Sequence, residues 1–274
     1  MRLLRSLCIT IALAGALVVP ACASMVSTQQ EVQMGLQAAE QIEAEIPVIE
    51  DPVVDRYVTA LGARLLRGAG DTRDVPYQFR VVDTPQVNAF AIPGGFIYVT
   101  RGLIEQARTM SELAGPMAHE IAHVEHRHSV EQLARMQQTE LGATLAYVLL
   151  GRTPGEVDQA VLGLGAGAYF ASYSRDHERE ADASAIEYMT RAGIDPNGLM
   201  SFFQTLAESE GERGLLDRWF ATHPMTEDRV EATRAAIAAK PGGAQLQQND
   251  AQFAQVKARL RALPRSPERA EESR

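Results

Sequence analysis

Apolar positions recur at helical spacing along most of the chain, with one interruption where the period drops to two. Residues 28–46 and 52–67 predict two helices, the second placing Val54, Tyr57, Val58, Leu61 and Leu65 on one face. Pro47, the run EDP at 50–52 and the run RGAGDTRDVP at 67–76 punctuate them. YQFRVVD at 77–83 and NAFAIPGGFIYVT at 88–100 are rich in β-branched and aromatic residues, and Pro93, Gly94 and Gly95 break the second. A small sheet with a hairpin follows from that pattern.

From residue 101 the helical period returns, over 111–137, 139–150, 155–173 and 175–191. The two apolar segments are interrupted by GRTPGEVDQ at 151–159, and neither holds the run of about 18 apolar residues that a membrane span needs, so they read as core helices. PGGAQLQQ at 241–248 reads as a linker. A last helix over 250–263 spaces Phe253, Val256 and Leu260, and PRSPERAEESR at 264–274 reads as a disordered tail. The fold class is therefore α+β and predominantly helical.

Composition adds the compartment. With 46% apolar residues in 274, the chain can bury one sizeable core. Arg2 and Arg5, the apolar run from Leu7 to Val19 and the small residues after it have the layout of a secretory signal. Two exits compete. Cleavage after Ala23 uses ACA as an A-x-A site; cleavage before Cys22 uses VPAC, similar to the lipobox of bacterial lipoproteins. Lipidation of Cys22 is preferred, because an exported chain otherwise keeps an unpaired thiol beside its signal. Ala23 and Ser24 after it imply an outer-membrane destination, with a soluble periplasmic protein as the alternative. Residues 1–21 are then the signal, 22–245 the main domain and 246–274 the C-terminal helix and tail. The mature charge of about −11 excludes nucleic acid as a partner.

Four of the six histidines lie in AHEIAHVEHRH at 118–128. His119, Glu120 and His123 form H-E-x-x-H in a segment read as helix, where histidines four apart differ by about 40° and one turn, so both imidazoles reach one ion. Glu120 stands beside them, where it can take a proton from a metal-bound water. A catalytic zinc needs a third protein ligand. His126 is on the same face but two turns away and reads as partly buried; His128 falls on the opposite side, toward solvent or a carboxylate. In SYSRDHEREAD, Glu178 and Asp182 are one turn apart, so Glu178 can ligate zinc while Asp182 accepts the spare N–H of a ligand imidazole. His177 and Glu180 point elsewhere on the wheel. Pro116 either removes a backbone donor and kinks the helix or, with Gly115 as cap, opens the ligand helix at its first position without strain.

NAFAIPGGFIYVTRGLI, SELAGPMAHEIAHVEHRH, SYSRDHEREAD and THPMTEDRV stand in the order and at about the distances of the HtpX and CaaX prenyl protease family of zinc metallopeptidases, the gluzincins. The chain resembles that family over roughly residues 30 to 240. The resemblance implies a zincin-like metallopeptidase domain holding one Zn2+, with His119, His123 and Glu178 as ligands, Glu120 as general base and Asp182 behind a ligand. It points to the exported branch of the family, here with only a short helix and tail after the domain.

The function expected is zinc-dependent hydrolysis of peptide bonds in unfolded or misassembled envelope proteins. A chaperone or assembly factor of the envelope, and a zinc amidase acting on cell-wall material, are the alternatives. Gly95, Phe96, Ile97 and Tyr98 either hold an extended substrate by strand addition or form an ordinary covered hairpin. His223, before Pro224 in ATHPMTEDRV, has two candidate roles. It is a ligand that fills the open zinc position and makes the enzyme latent, or it is a donor to the developing oxyanion with Arg229 as helper. Latency is favoured, because unregulated proteolysis threatens every unfolded envelope protein.

Overall fold

The fold comes from a computed structural model that describes residues 26–135, 173–208, 222–240 and 246–266. The signal segment with Cys22, the apolar segment at 139–150, all of the segment at 155–173 but Tyr173, and the end of the tail lie outside the described residues.

Two N-terminal helices, α1 (Thr28–Glu45) and α2 (Pro52–Ala69), start at side-chain caps. Ser27 and Gln30 form a capping box on α1, and the Asp51 carboxylate accepts the Val53 and Val54 amides ahead of Pro52 on α2. Strands β1 (Gln78–Val82), β2 (Ala89–Ile92) and β3 (Phe96–Thr100) make a sheet of order β1-β3-β2, with β1 parallel and β2 antiparallel to β3. The turn joining β2 to β3 carries Gly94 at φ 82° and Gly95 at φ 93°, which residues with a side chain rarely adopt.

The strand order corrects one expectation. β3 is the central strand, paired along both edges and fully buried, so Gly95 to Tyr98 offer no edge to an added strand. The two edges belong to β1 and β2, and β2 packs beside the helix that carries the histidines.

Helix α3 (Arg101–Gln106) leads into α4 (Met110–Glu125), then α5 (Arg175–Arg191), α6 (Asn197–Glu208), α7 (Glu227–Ala238) and α8 (Ala251–Ala262). One core joins α2, α4, α5, α6 and α8 with one face of the sheet, and a smaller cluster of Ala38, Ala39, Ile42, Phe90, Ile92, Phe96 and Tyr98 seals α1 onto the other. The C-terminal helix packs into the main core. Phe253 of α8 stacks on Tyr57 at 5.9 Å, and the buried Arg101 guanidinium donates to Asp83 and to the carbonyls of Leu260 and Pro264.

Of the two readings of Pro116 the internal one holds: it lies inside α4, which begins at Met110 under the Thr109 cap, so the ring removes one internal hydrogen bond. One further expectation is corrected, because the helix does not run to 137. It ends at Glu125, Arg127 takes φ 58°, and the helical segment 128–135 restarts in a new direction. Arg127 is held in that left-handed conformation by bonds from its side chain to Glu31 (3.0 Å) and to the Val26 carbonyl (2.5 Å).

Candidate metal centre

Helix α4 is buried on all sides, not along one stripe, because α5 and α6 cross it and β2 lines it. Such burial leaves His119, Glu120 and His123 without contact with solvent. The i, i+4 spacing brings the two Nε2 atoms to 3.0 Å. Helix α5 begins at the Ser174 cap and places Glu178 in its first turn, with Oε1 3.4 Å from His123 Nε2 and Oε2 3.5 Å from His119 Nε2. One turn on, Asp182 Oδ1 lies 2.9 Å from His119 Nδ1.

His223 completes the cluster from the loop before α7. Its Nδ1 stands 3.0 Å from Glu178 Oε1 and 3.3 Å from His119 Nε2, and its Nε2 is 3.4 Å from Glu120 Oε1. His119, His123, Glu178 and His223 are thus four buried residues whose donor atoms converge on one point.

The donor set fits zinc. Four donors held tetrahedrally about 2.0–2.2 Å from zinc stand about 3.3–3.6 Å apart; here one donor atom from each residue lies within 4.8 Å of the others, and the contacts to His119 and to the two Glu178 oxygens run from 3.0 to 3.5 Å. Behind the donors, the Arg229 guanidinium pairs with both Glu178 and Asp182.

The same fields set the protonation of each group. Burial alone would lower His119, but Asp182 and Glu178 outweigh it and raise the imidazole to about 9. His123 is pushed well below the usual histidine range, chiefly by burial, which suits a neutral ligand. Burial would raise Glu178 and Asp182, yet His223 and His119 on the first, and Arg229 on the second, hold both carboxyls low. Glu120 is raised, with burial the main cause. Its Oε2 accepts the Ala91 amide of β2 at 2.9 Å, and its Oε1 has no hydrogen-bond partner among the described residues.

Arg229 does not stand where an oxyanion helper would. Its Nε and Nη2 grip Asp182 at 2.6 and 2.9 Å, and Nη1 pairs with Glu178, so the guanidinium is fully committed behind the donors. His126 stays outside the cluster, with Nε2 2.8 Å from Ser184 Oγ.

His128 does not face solvent: it is buried and turned inward, with Nδ1 2.9 Å from His123 Nδ1, and its expected carboxylate is Glu180, whose Oε2 lies 3.2 Å from Nε2. The helical wheel sends it to the far side only if α4 continues, and the break at Arg127 reverses that. His177 and Glu180, set aside on the wheel, support it. Tyr173 also joins the site; its ring stacks on His123 at 4.0 Å and its hydroxyl bonds Ser129 at 2.8 Å. No local spacing signals that contact.

Two histidines and a glutamate around an H-E-x-x-H helix, with a carboxylate base beside them, define the gluzincin class of zinc site. Residues 52–237 match the model of Peptidase family M48, and the chain belongs to that family. It is 34% identical over 217 residues to a putative beta-barrel assembly-enhancing protease of Vibrio cholerae serotype O1, covering 77% of this chain and 45% of that one. To the beta-barrel assembly-enhancing protease of Escherichia coli K12 it is 31% identical over 217 residues, covering 77% and 44%. Metalloprotease YcaL of the same organism is 30% identical over 178 residues, covering 64% and 68%. The chain spans less than half the length of the first two relatives.

Proposed function

We propose that this protein is a zinc-dependent endopeptidase of the bacterial cell envelope that degrades misfolded or misassembled envelope proteins. The observation that carries the reading is Glu120: buried beside the donor cluster, tethered through Oε2 to the Ala91 amide, with Oε1 directed at the cluster and unbonded. His119, His123 and Glu178 would hold the zinc, which when bound polarises the scissile carbonyl and acidifies a water. Glu120 Oε1 takes the proton and passes it to the leaving amine, and its raised pKa makes the carboxylate a stronger base for that transfer. The Ala91 N–H keeps the carboxylate from rotating. Asp182 and Arg229 lock the His119 ring from behind.

His223 acts as the latency ligand in this reading. Its Nδ1 stands inside the donor set and its Nε2 faces Glu120, so one imidazole blocks both the open position and the base. The substrate class follows from the relatives named for β-barrel assembly. Among the described residues no helix is long and apolar enough to cross a membrane, and attachment is proposed to run through lipidated Cys22 to the outer membrane.

The test is cleavage of unfolded casein by the zinc-loaded protein. Glu120→Gln should retain zinc and fold but lose essentially all cleavage, and a chelator should abolish cleavage by the wild type. Casein cleavage by Glu120→Gln at a rate comparable to wild type defeats the assignment.

A further inference from the structure

The two histidines of the H-E-x-x-H motif are supported differently. His119 rests directly on Asp182, a buried carboxylate clamped by Arg229. Among the described residues, no carboxylate touches the Nδ1 of His123. The group there is another imidazole, His128, and beyond it Glu180, whose side chain is 54% exposed.

We propose that His128 and Glu180 form a positioning relay that orients His123 and strengthens it as a metal ligand. The protons can be placed by elimination. His123 turns Nε2 toward His119 and Glu178, so its lone pair belongs on Nε2 and its proton on Nδ1. Two Nδ1 atoms 2.9 Å apart share one proton, so His128 Nδ1 is the acceptor. The His128 proton then sits on Nε2, which donates to Glu180 Oε2 at 3.2 Å. Every link has one donor and one acceptor, ending on a full negative charge that polarises the chain toward the metal side.

The surroundings keep the relay ring in register. His177 lies parallel to His128 at 4.2 Å and 9°, and the Glu131 carboxylate accepts from His177 Nε2 at 3.2 Å. Tyr173 stacks on the His123 face, so that ring can rotate neither about its own axis nor away from His128. Glu180 reaches His128 from α5, the helix that also supplies Glu178, so one helix provides a direct donor and the remote end of the relay.

The inference rests on His123 being a ligand, and the test separates the two. Zinc affinity is measured by chelator competition, with the visible spectrum of the Co2+-substituted protein as a second readout. His123→Ala should lose the metal whether or not the relay exists; retention of zinc there overturns the site itself. His128→Leu leaves the His123 Nδ1–H without an acceptor and should weaken zinc binding by about tenfold to a hundredfold and alter the Co2+ bands. His128→Gln, whose amide can accept from His123 and donate to Glu180, should recover most of that loss. Glu180→Ala, at an exposed position that leaves the fold alone, should weaken zinc by about threefold to tenfold, and should add nothing in the His128→Leu background. Zinc affinity within twofold of wild type in both His128→Leu and Glu180→Ala overturns the relay. So does a His128→Gln variant as weak as His128→Leu, or additive losses in the double variant. If His128→Leu does not fold, Glu180→Ala alone decides.

Discussion

His223→Ala removes the imidazole that stands among the metal donors while leaving His119, His123, Glu178 and Glu120 in place. In the structure this ring is buried among the donors, with Nδ1 3.0 Å from Glu178 Oε1, so admitting a substrate requires moving it out of a charged site. Giving up one interaction in such a site costs about 1.5–3 kcal/mol, the scale of a hydrogen bond to a charged group, and about 1.4 kcal/mol is a factor of ten in population. The closed form should therefore exceed the open one by roughly tenfold to a hundredfold. Removing the ring should raise basal cleavage by the same factor. The assay is kcat/KM on fluorescently labelled unfolded casein, with zinc content measured in both proteins so that a change in loading is not read as a change in latency. A fall in turnover of about a hundredfold would refute the latency reasoning and assign His223 to the oxyanion instead. A change of less than twofold would reject both roles.

Phe253→Ala should destabilise the folded protein by about 3–5 kcal/mol, because the ring is fully buried against Tyr57. Denaturant unfolding checks it, and a loss under about 1 kcal/mol would show that α8 lies outside the cooperative core. Glu31 supplies a pH test. Burial would raise its pKa, but Arg73, the Gly94 amide and Arg127 outweigh burial and hold it below the ordinary 4.5. The native state therefore binds this proton less readily than the unfolded chain, so the stabilisation is complete above pH 4.5 and is lost as pH falls through the lower native value. Glu31→Gln should cost about 1.5–3 kcal/mol at pH 7 and progressively less below pH 4.5, read by urea unfolding across that range. Cys22→Ser should release the exported protein from the membrane fraction and abolish the lipid mass increment. A wild-type protein that is soluble and begins at Ser24 would show cleavage at the A-x-A site instead.

Much of the site was legible in the chain because it depends on spacing within single elements. The 3.6-residue repeat aligns His119 with His123 and Glu178 with Asp182 wherever those segments are helical, and both are. The α2 face and the hairpin turn at Pro93 to Gly95 follow from equally local stereochemistry. That α4 and α5 face each other was visible only through the resemblance of ordered motifs, since nothing within either helix dictates its partner.

What the chain did not disclose depends on events between elements. The order β1-β3-β2 buries the strand that local alternation left looking available, because pairing of β1 with β3 is decided across the sheet and not along a strand. Pro116 is carried inside a helix because tertiary packing on α5 and α6 outweighs the lost hydrogen bond. His128 turns inward because Arg127, held by Glu31 from α1, ends the helix one turn before the wheel would carry His128 outward. His223 meets Glu178 although the two are 45 residues apart in the chain. Short-range geometry is set by backbone dihedrals that each residue type constrains directly, whereas these contacts exist only once separate helices have been packed, which is a property of the whole core.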